Sequence, residues 1–423
     1  MRVKCRAKNL KPLSICFLES QRRAIVFADS LAPCYGSNIR KVPPMTASSL
    51  VGNCLKLGFG LMRLPRIDGS ASMYGPIDLP QTIQMVDAFL AAGGRYFDTA
   101  FVYPGSEEAT RAALVDRHPR DAFFLATKLN AAPFAAKSAA EAKAETKVSL
   151  DKTGARYFDF YLLHAISQNN LALYDGYGCW DHLRRLKDDG LARHIGFSFH
   201  DVPDVLERVL DAHPETEFVQ LQINYADWDD PSIQSRRCYE VAAERGIPVV
   251  VMEPAKGGLL ANPPPSVRAV LEAAAPGMSP AAWAIRYAAS LPGVMMVLSG
   301  MSTLAQMADN LSFMRDFRPL DDDGHRVIAA ARAALAAADD IPCTACHYCT
   351  PGCPKGIHIP ELFALMNQYS RFGDLARARE DYGWRAGGAR ASACIKCHRC
   401  EQACPQHLPI VQLLEKTAAT LEA

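Results

Sequence analysis

The chain has 423 residues, 49% hydrophobic and 22% charged, a globular balance at a length beyond what one hydrophobic core usually organises. Its 46 Lys+Arg against 45 Asp+Glu leave a formal net charge of +1, which gives no electrostatic case for nucleic acid or an anionic membrane as the main partner. The longest apolar runs, ending at Val251 and Leu298, are broken within a few residues, and none has the length of a membrane span.

Residues 1–44 are basic, carry Pro12, Pro33, Pro43 and Pro44, and lack the n-region, apolar core and small-residue cleavage site of a secretory signal. Residues 1–49 are therefore expected to be a disordered extension or the product of a start set upstream of Met45, with a transit peptide as the alternative. From Leu55 to Leu311 short apolar runs alternate with longer amphipathic stretches. Strands are expected at 55–60, 95–98, 123–128, 158–163, 193–198, 218–222, 247–252 and 294–299. Helices are expected near 80–92, 106–116, 137–153, 178–189, 202–212, 232–245, 279–290 and 303–313. Eight strands, each followed by a helix, give an α/β architecture, a (β/α)8 TIM barrel over residues 50–320. The rival is an open dinucleotide-binding sheet, but Gly58 and Gly60 lack the third glycine and the following helix of its fingerprint.

Asp98, Lys128, His164, Ser198 and Gln222 each fall at the C-terminal end of a different expected strand, the end where barrels place their active sites. With Tyr103 they suggest carbonyl reduction. A carbonyl accepting hydride needs a proton or a strong hydrogen bond at its oxygen. Tyr103 can donate it, and the Lys128 ammonium is expected to lower the phenol's pKa from about 10. Asp98 would keep that ammonium paired, and His164 would orient the oxygen. Each residue has a plainer reading when taken alone: a helix cap, a loop aromatic, a core histidine. The shared positional rule is what favours a site.

Beyond the barrel, Gly324 to Ala338 reads as a connecting helix within 321–340. The 14 cysteines are uneven. Cys5, Cys16, Cys34, Cys54, Cys179 and Cys238 stand singly and read as incidental thiols. Cys343, Cys346, Cys349 and Cys353 precede Pro354, and Cys394, Cys397, Cys400 and Cys404 precede Pro405. Both runs are C-x2-C-x2-C-x3-C-P, the spacing of two-cluster ferredoxins. Three thiolates can hold three corners of one [4Fe-4S] cube while the fourth reaches the other. Cys404 is thus expected with Cys343, Cys346 and Cys349, and Cys353 with Cys394, Cys397 and Cys400. Structural zinc is the alternative, although zinc sites usually pair two short knuckles across a longer loop. The segments ELFALMNQYSRF and GDLARARED between the runs read as helices, making 341–423 a small, mostly helical ferredoxin-like domain.

Over roughly residues 50–315 the chain resembles the aldo/keto reductase superfamily, in LGFGLMRLP, FDTAFVYPGSE, ATKL, FYLLH, LKDDGLARHIGFSFH and QLQINY. The tandem with the cysteine runs resembles a bacterial subgroup of predicted aldo/keto reductases that carries a C-terminal 4Fe-4S dicluster domain. The resemblance implies that Asp98, Tyr103, Lys128 and His164 form the catalytic tetrad and that NADPH or NADH binds across the barrel mouth. It further implies that Ser198 and Gln222 hold the carboxamide, with Gly300, Ser302, Gln306 and Asn310 on the adenosine side. The aromatic that often stacks on the nicotinamide is replaced by Met252, Glu253 and Pro254. No Arg or Lys stands near Gly300 or Gln306 in sequence, so NADH is expected to serve within about tenfold of NADPH. The implied function is reversible reduction of a small carbonyl compound in the cytoplasm by an enzyme with two [4Fe-4S] clusters, which a redox partner protein could serve. The alternative is a nicotinamide-binding electron-carrier or sensor subunit of a larger redox complex.

Overall fold

The computed structural model describes residues 50–423 apart from 70–73, 232, 337–339, 344, 387–388 and 405. The expectations for residues 1–49, including Met45, Cys5, Cys16 and Cys34, lie outside the described residues, as do Pro405 and the last two residues of the helix expected to end at Ala338. Eight strands close on themselves in chain order, each parallel to its neighbours: β1 Leu57–Gly60, β2 Tyr96–Asp98, β3 Phe124–Leu129, β4 Phe158–Ile166, β5 Ala192–Phe199, β6 Phe218–Gln222, β7 Val249–Met252 and β8 Val294–Ser299. Every strand overlaps the run expected for it. Such strands are readable because helices cover the sheet outside, so both faces are apolar; β8 is buried at every position.

The covering helices are α1 Leu79–Ala91, α2 Ser106–Thr110, α3 Ala139–Thr153, α4 Leu171–Gly176, α5 Cys179–Asp188, α6 Pro203–Ala212, α7 Ser235–Glu244, α8 Pro265–Ala274, α9 Pro280–Ser290 and α10 Leu304–Met314. The helix expected at 106–116 is α2 followed by one π turn, Arg111–Val115. The patterning gives no sign of α8, because Pro263, Pro264 and Pro265 read as loop punctuation. In the fold Pro265 opens the helix, where its locked φ suits the first turn and its missing N–H is no loss.

One face of the strands packs with the helices through Phe59, Phe97, Leu125, Tyr161, Phe197 and Val251. The other fills the barrel with Tyr96, Ala126, Phe160, Leu162, Phe218, Val250 and Met296. The lumen is therefore solid, and room for a ligand exists only at the strand ends. Filling it leaves no space at Gly196, where a Cβ would stand 2.3 Å from the carbonyl oxygen of Phe218.

After the barrel, α11 Asp322–Ala336 lays Ile328, Ala331 and Leu335 against Val267, Leu271 and Trp283. Then come α12 Ile359–Phe372, α13 Leu375–Arg385, α14 Arg399–Ala403 and α15 Ile410–Leu421. They enclose a separate core in which Leu362, Phe363, Tyr382 and Leu414 pack with Cys349, Cys400 and Cys404. Phe372, the last residue of α12, packs on the cluster shared by the barrel helices and α11. Among the described residues no helix is long and apolar enough to cross a membrane.

The crowding at Gly196 yields a test. Gly196→Ala drives a methyl group into a backbone oxygen that cannot swing aside, and it should cost roughly 1–3 kcal/mol of stability. Denaturant unfolding measures this; a loss below about 0.5 kcal/mol would show that β5 and β6 separate more readily than their packing indicates.

Candidate active site

The four residues expected to carry chemistry meet at the mouth. Asp98 ends β2, Tyr103 lies in the loop beyond it, and Lys128 and His164 stand near the ends of β3 and β4. Lys128 Nζ donates to Asp98 Oδ1 at 2.6 Å and to the Thr99 carbonyl at 2.7 Å. The two side chains are only 1% and 4% exposed, so this is a desolvated ion pair. The ammonium lies 5.2 Å from the centre of the Tyr103 ring, and Tyr103 meets His164 edge to face, with ring centres 5.6 Å apart.

His164 owes its aim to a bulge. The β4–β5 register shifts between Leu163 and Ile166, and Ala165 takes a φ of 55°, which is strained for a residue with a Cβ. Distant groups hold it there. The Ala165 N–H donates to Ser198 Oγ at 2.7 Å, and the Asn170 side chain donates to the Ala165 carbonyl at 2.8 Å. Tyr174 Oη donates to the His164 carbonyl at 2.5 Å and accepts from the Ala131 N–H at 3.2 Å. Bulges re-aim side chains in this way. The result leaves His164 Nδ1 buried without a hydrogen-bond partner among the described residues. Burial and the charge of Lys128 hold its imidazole well below the ordinary pKa, so it is neutral.

The electrostatics of Tyr103 differ from the expectation. Burial raises its pKa above the ordinary phenol value, and the downward pull of Lys128 does not offset this. Lys128 itself stays charged. Burial disfavours its ammonium, but Asp98 and Tyr103 more than compensate and leave its pKa raised.

The residues suggested for the cofactor lie on the same rim, engaged in hydrogen bonds that shape it. Besides holding the bulge, Ser198 keeps its own proton to donate. Gln222 Nε2 donates to Asp227 Oδ2 at 3.1 Å, and Lys256 pairs with the same buried carboxylate at 2.5 Å. In the loop after β8, the Ser302 N–H donates to Gln306 Oε1 at 2.7 Å, Ser302 Oγ to the Arg63 carbonyl at 2.7 Å, and Asn310 Nδ2 to Ser299 Oγ at 2.6 Å. Arg63 thus lies beside Gly300, its Cβ 3.8 Å from where a Gly300 Cβ would stand. The parts of Arg63 beside Gly300 are its Cβ and Cδ, whereas its Nη2 stands 3.9 Å from where a Gly257 Cβ would be, so its charge lies toward the loop after β7. The sequence neighbours of Gly300 could not disclose a residue 237 positions upstream (300 − 63). Two more groups were not foreseen as site residues, Glu253 having been noted only for replacing an aromatic. Glu253 takes a φ of 54°, and its carboxylate acts on Tyr103, His200 and Arg63. His200 follows β5 and is exposed by area although protein surrounds it, as befits a group lining a cleft.

In the C-terminal region the cysteines ring two cavities. One is lined by Cys343, Cys346, Cys349 and Cys404, the other by Cys353, Cys394, Cys397 and Cys400. Both runs fold alike: Ala345 and Lys396 have φ of 51° and 58°, and His347 and His398 have 60° and 57°. Burial pushes the Cys349 and Cys400 thiols up to about 11, so at neutral pH they need a bound cation to become thiolates. Among the described residues no group of three or more His, Cys, Asp or Glu side chains is placed to hold a metal ion.

The family model described as the aldo/keto reductase family matches residues 56–333. The chain belongs to the aldo/keto reductase family. It is an oxidoreductase of the NAD(P)H-dependent type, and the model of the 4Fe-4S dicluster domain matches residues 342–408 behind it. An aldo-keto reductase of Mycolicibacterium vanbaalenii is 31% identical over 239 residues, which are 56% of this chain and 79% of that protein. Among solved structures, a holo-form aldo-keto reductase from Bacillus halodurans superposes with a TM-score of 0.53 at 24% identity, covering 65% of this chain and 91% of its own. One from Klebsiella pneumoniae, in complex with NADPH, gives 0.51 at 20% identity, covering 66% and 91%. At these identities the two structures establish the fold alone.

The shifted groups set a pH profile. Tyr103 keeps its proton to a higher pH than a free phenol, and His164 stays neutral to a lower pH than a free imidazole. The kcat/KM for reducing a surrogate aldehyde should be level from about pH 6 to about pH 9 and fall only above about pH 10. A titration near pH 7 in that profile would mean that another group supplies the proton.

Proposed function

We propose that the barrel reduces a small carbonyl compound to its alcohol, reversibly, with Tyr103 as proton donor. The observation that carries this reading is the desolvated contact of Lys128 with Asp98 beside Tyr103, with His164 against its ring. A reduced nicotinamide, NADPH or NADH, would supply the hydride. Tyr103 Oη would protonate the substrate oxygen as its charge grows, and neutral His164 would orient that oxygen. Lys128, held by Asp98, would stabilise the phenolate left behind. Ser198 and Gln222 would present hydrogen bonds to the carboxamide, with Gly300, Ser302, Gln306 and Asn310 along the rest of the dinucleotide. The NADPH complex of the Klebsiella pneumoniae relative supports NADPH as one of the two.

The partition proposed is a barrel over 50–320, a connecting helix over 321–340 and a dicluster domain over 341–423. That last part would hold two [4Fe-4S] clusters, which carry single electrons, in crossed ligation. The grouping of cysteines around the two cavities supports this, as do the repeated left-handed residues, since strain at four non-glycine positions persists only where something over-determines it. Two thiol-rich runs suit a reducing, cytoplasmic setting, and a redox partner protein fits an electron-carrying module. The second reading, a nicotinamide-binding electron-carrier or sensor subunit, draws on that same module.

Two outcomes check these assignments. Protein purified without oxygen should contain about eight irons and eight labile sulfides per chain, and Cys353→Ser should perturb the cluster bound by the second run; iron absent and zinc retained would end the cluster assignment. Tyr103→Phe should lower carbonyl turnover by about 10²–10⁴-fold with little change in cofactor affinity. Turnover that stays within about threefold of the parent, with cluster content intact, would bring the electron-carrier reading forward.

A further inference from the structure

The C-terminal module reaches over the barrel's active face. Phe372 anchors the end of α12 on the barrel side, and α13 then runs along the rim. Near its start, Arg377 Nη2 stands 3.5 Å from the position of a Cβ on Gly257, in the loop after β7. Near its end, the Trp384 ring lies parallel to that of Tyr74, with centres 6.0 Å apart, in the loop after β1. Seven residues of helix, about 10 Å, thus cross from the β7 side to the β1 side, with β8 between them in the sheet. The last turn of α13 ends beside the loop after β1.

Arg385 occupies that turn. Arg377 of the same helix is tied to Asp381, and Arg379 to the Thr420 carbonyl. Arg385 makes no hydrogen bond or ion pair among the described residues, and it is exposed. Its charge is felt by His200, at the end of β5 on the far side of the barrel. The His200 ring also makes no hydrogen bond among the described residues, and His164 Nδ1 is buried without one. Glu253 acts on both His200 and Arg63, and Arg63 also feels Glu380, Asp381 and Arg377 of α13. A guanidinium without a hydrogen-bond partner among the described residues, at the end of a helix that meets the barrel rim, matches a carboxylate in charge and in the fork of its donors.

We propose that Arg385 is a substrate-specificity residue of the barrel site, binding the carboxylate of an oxo acid whose carbonyl is presented to Tyr103 and His164. The proposal rests on the carbonyl-reduction reading. It makes the site composite: the barrel supplies the chemistry and the dicluster module supplies the selectivity. The flat, exposed pair of Tyr74 and Trp384 beside Arg385 suits an unsaturated or aromatic body between carboxylate and carbonyl.

The test uses the holoprotein with NADPH and two probes of one shape, 4-formylbenzoate and its methyl ester. Arg385→Gln should lower kcat/KM for 4-formylbenzoate by about 30-fold or more, chiefly through KM, and leave the ester within about threefold. Arg385→Lys should recover part of the loss. Equal losses on both probes, or none on the acid, overturn the proposal. If the parent protein turns over neither probe, the carbonyl-reduction reading is what has failed. Binding then decides the question of Arg385, read from tryptophan fluorescence, since Trp384 adjoins the site. Binding of 4-formylbenzoate at least about tenfold weaker in Arg385→Gln supports the carboxylate contact, whereas unchanged binding, or none to the parent, overturns it.

Discussion

An ammonium group taken out of water must be met by a carboxylate at contact distance, and the mouth of this barrel is arranged around that requirement. Lys128 would be intolerable at its depth without Asp98; removing one partner of such a pair typically costs about 3–5 kcal/mol. The pair in turn requires β2 and β3 to be neighbours in register, which the Asp98–Ala126 alignment provides. The filled lumen beneath closes off the barrel from below, so a ligand can approach the pair only from the side of Tyr103, His164, His200 and Glu253. The same desolvation that makes the pair strong also raises the pKa of Tyr103. Tyr103 thus holds its proton to a higher pH than a free phenol, although the nearby ammonium pulls the other way.

Much of this arrangement can be read from the chain. The strands show as unbroken apolar runs because helices shield them, and Asp98, Lys128 and His164 stand out because each polar residue closes such a run. Tyr103 closes no such run, and the resemblance to the aldo/keto reductases is what places it in a tetrad with them. Other features have no local signature. The left-handed Ala165 carries no glycine or asparagine to announce it; its conformation is imposed by Ser198, Asn170 and Tyr174 acting from other segments. Arg63 reaches Gly300 only because β1 and β8 are neighbours once the barrel closes. The raised pKa of Tyr103 is a property of the surrounding atoms, and a sequence comparison of charges alone gives the wrong sign.

The appended module is more than a passenger. Its α12 and α13 touch the barrel at Phe372, Arg377 and Trp384, along the rim where chemistry occurs. A nicotinamide passes electrons as a pair and an iron–sulfur cluster accepts one at a time, so contact alone does not make the two parts an electrical circuit. What contact does provide is position: Phe372, Arg377 and Trp384 of the module stand against barrel helices and rim loops.

The two cavities share their walls in an unusual way. Each draws three cysteines from one run and one from the other, so neither is complete until residues more than forty positions apart have come together. Neither run closes a cavity without the other. The first cavity, begun by Cys343, is complete only with Cys404, 61 positions later (404 − 343), and every strand of the barrel precedes both in the chain. Damage runs along the same connection in reverse. Loss of one cysteine takes a wall from one cavity and, with it, a tie between the two runs.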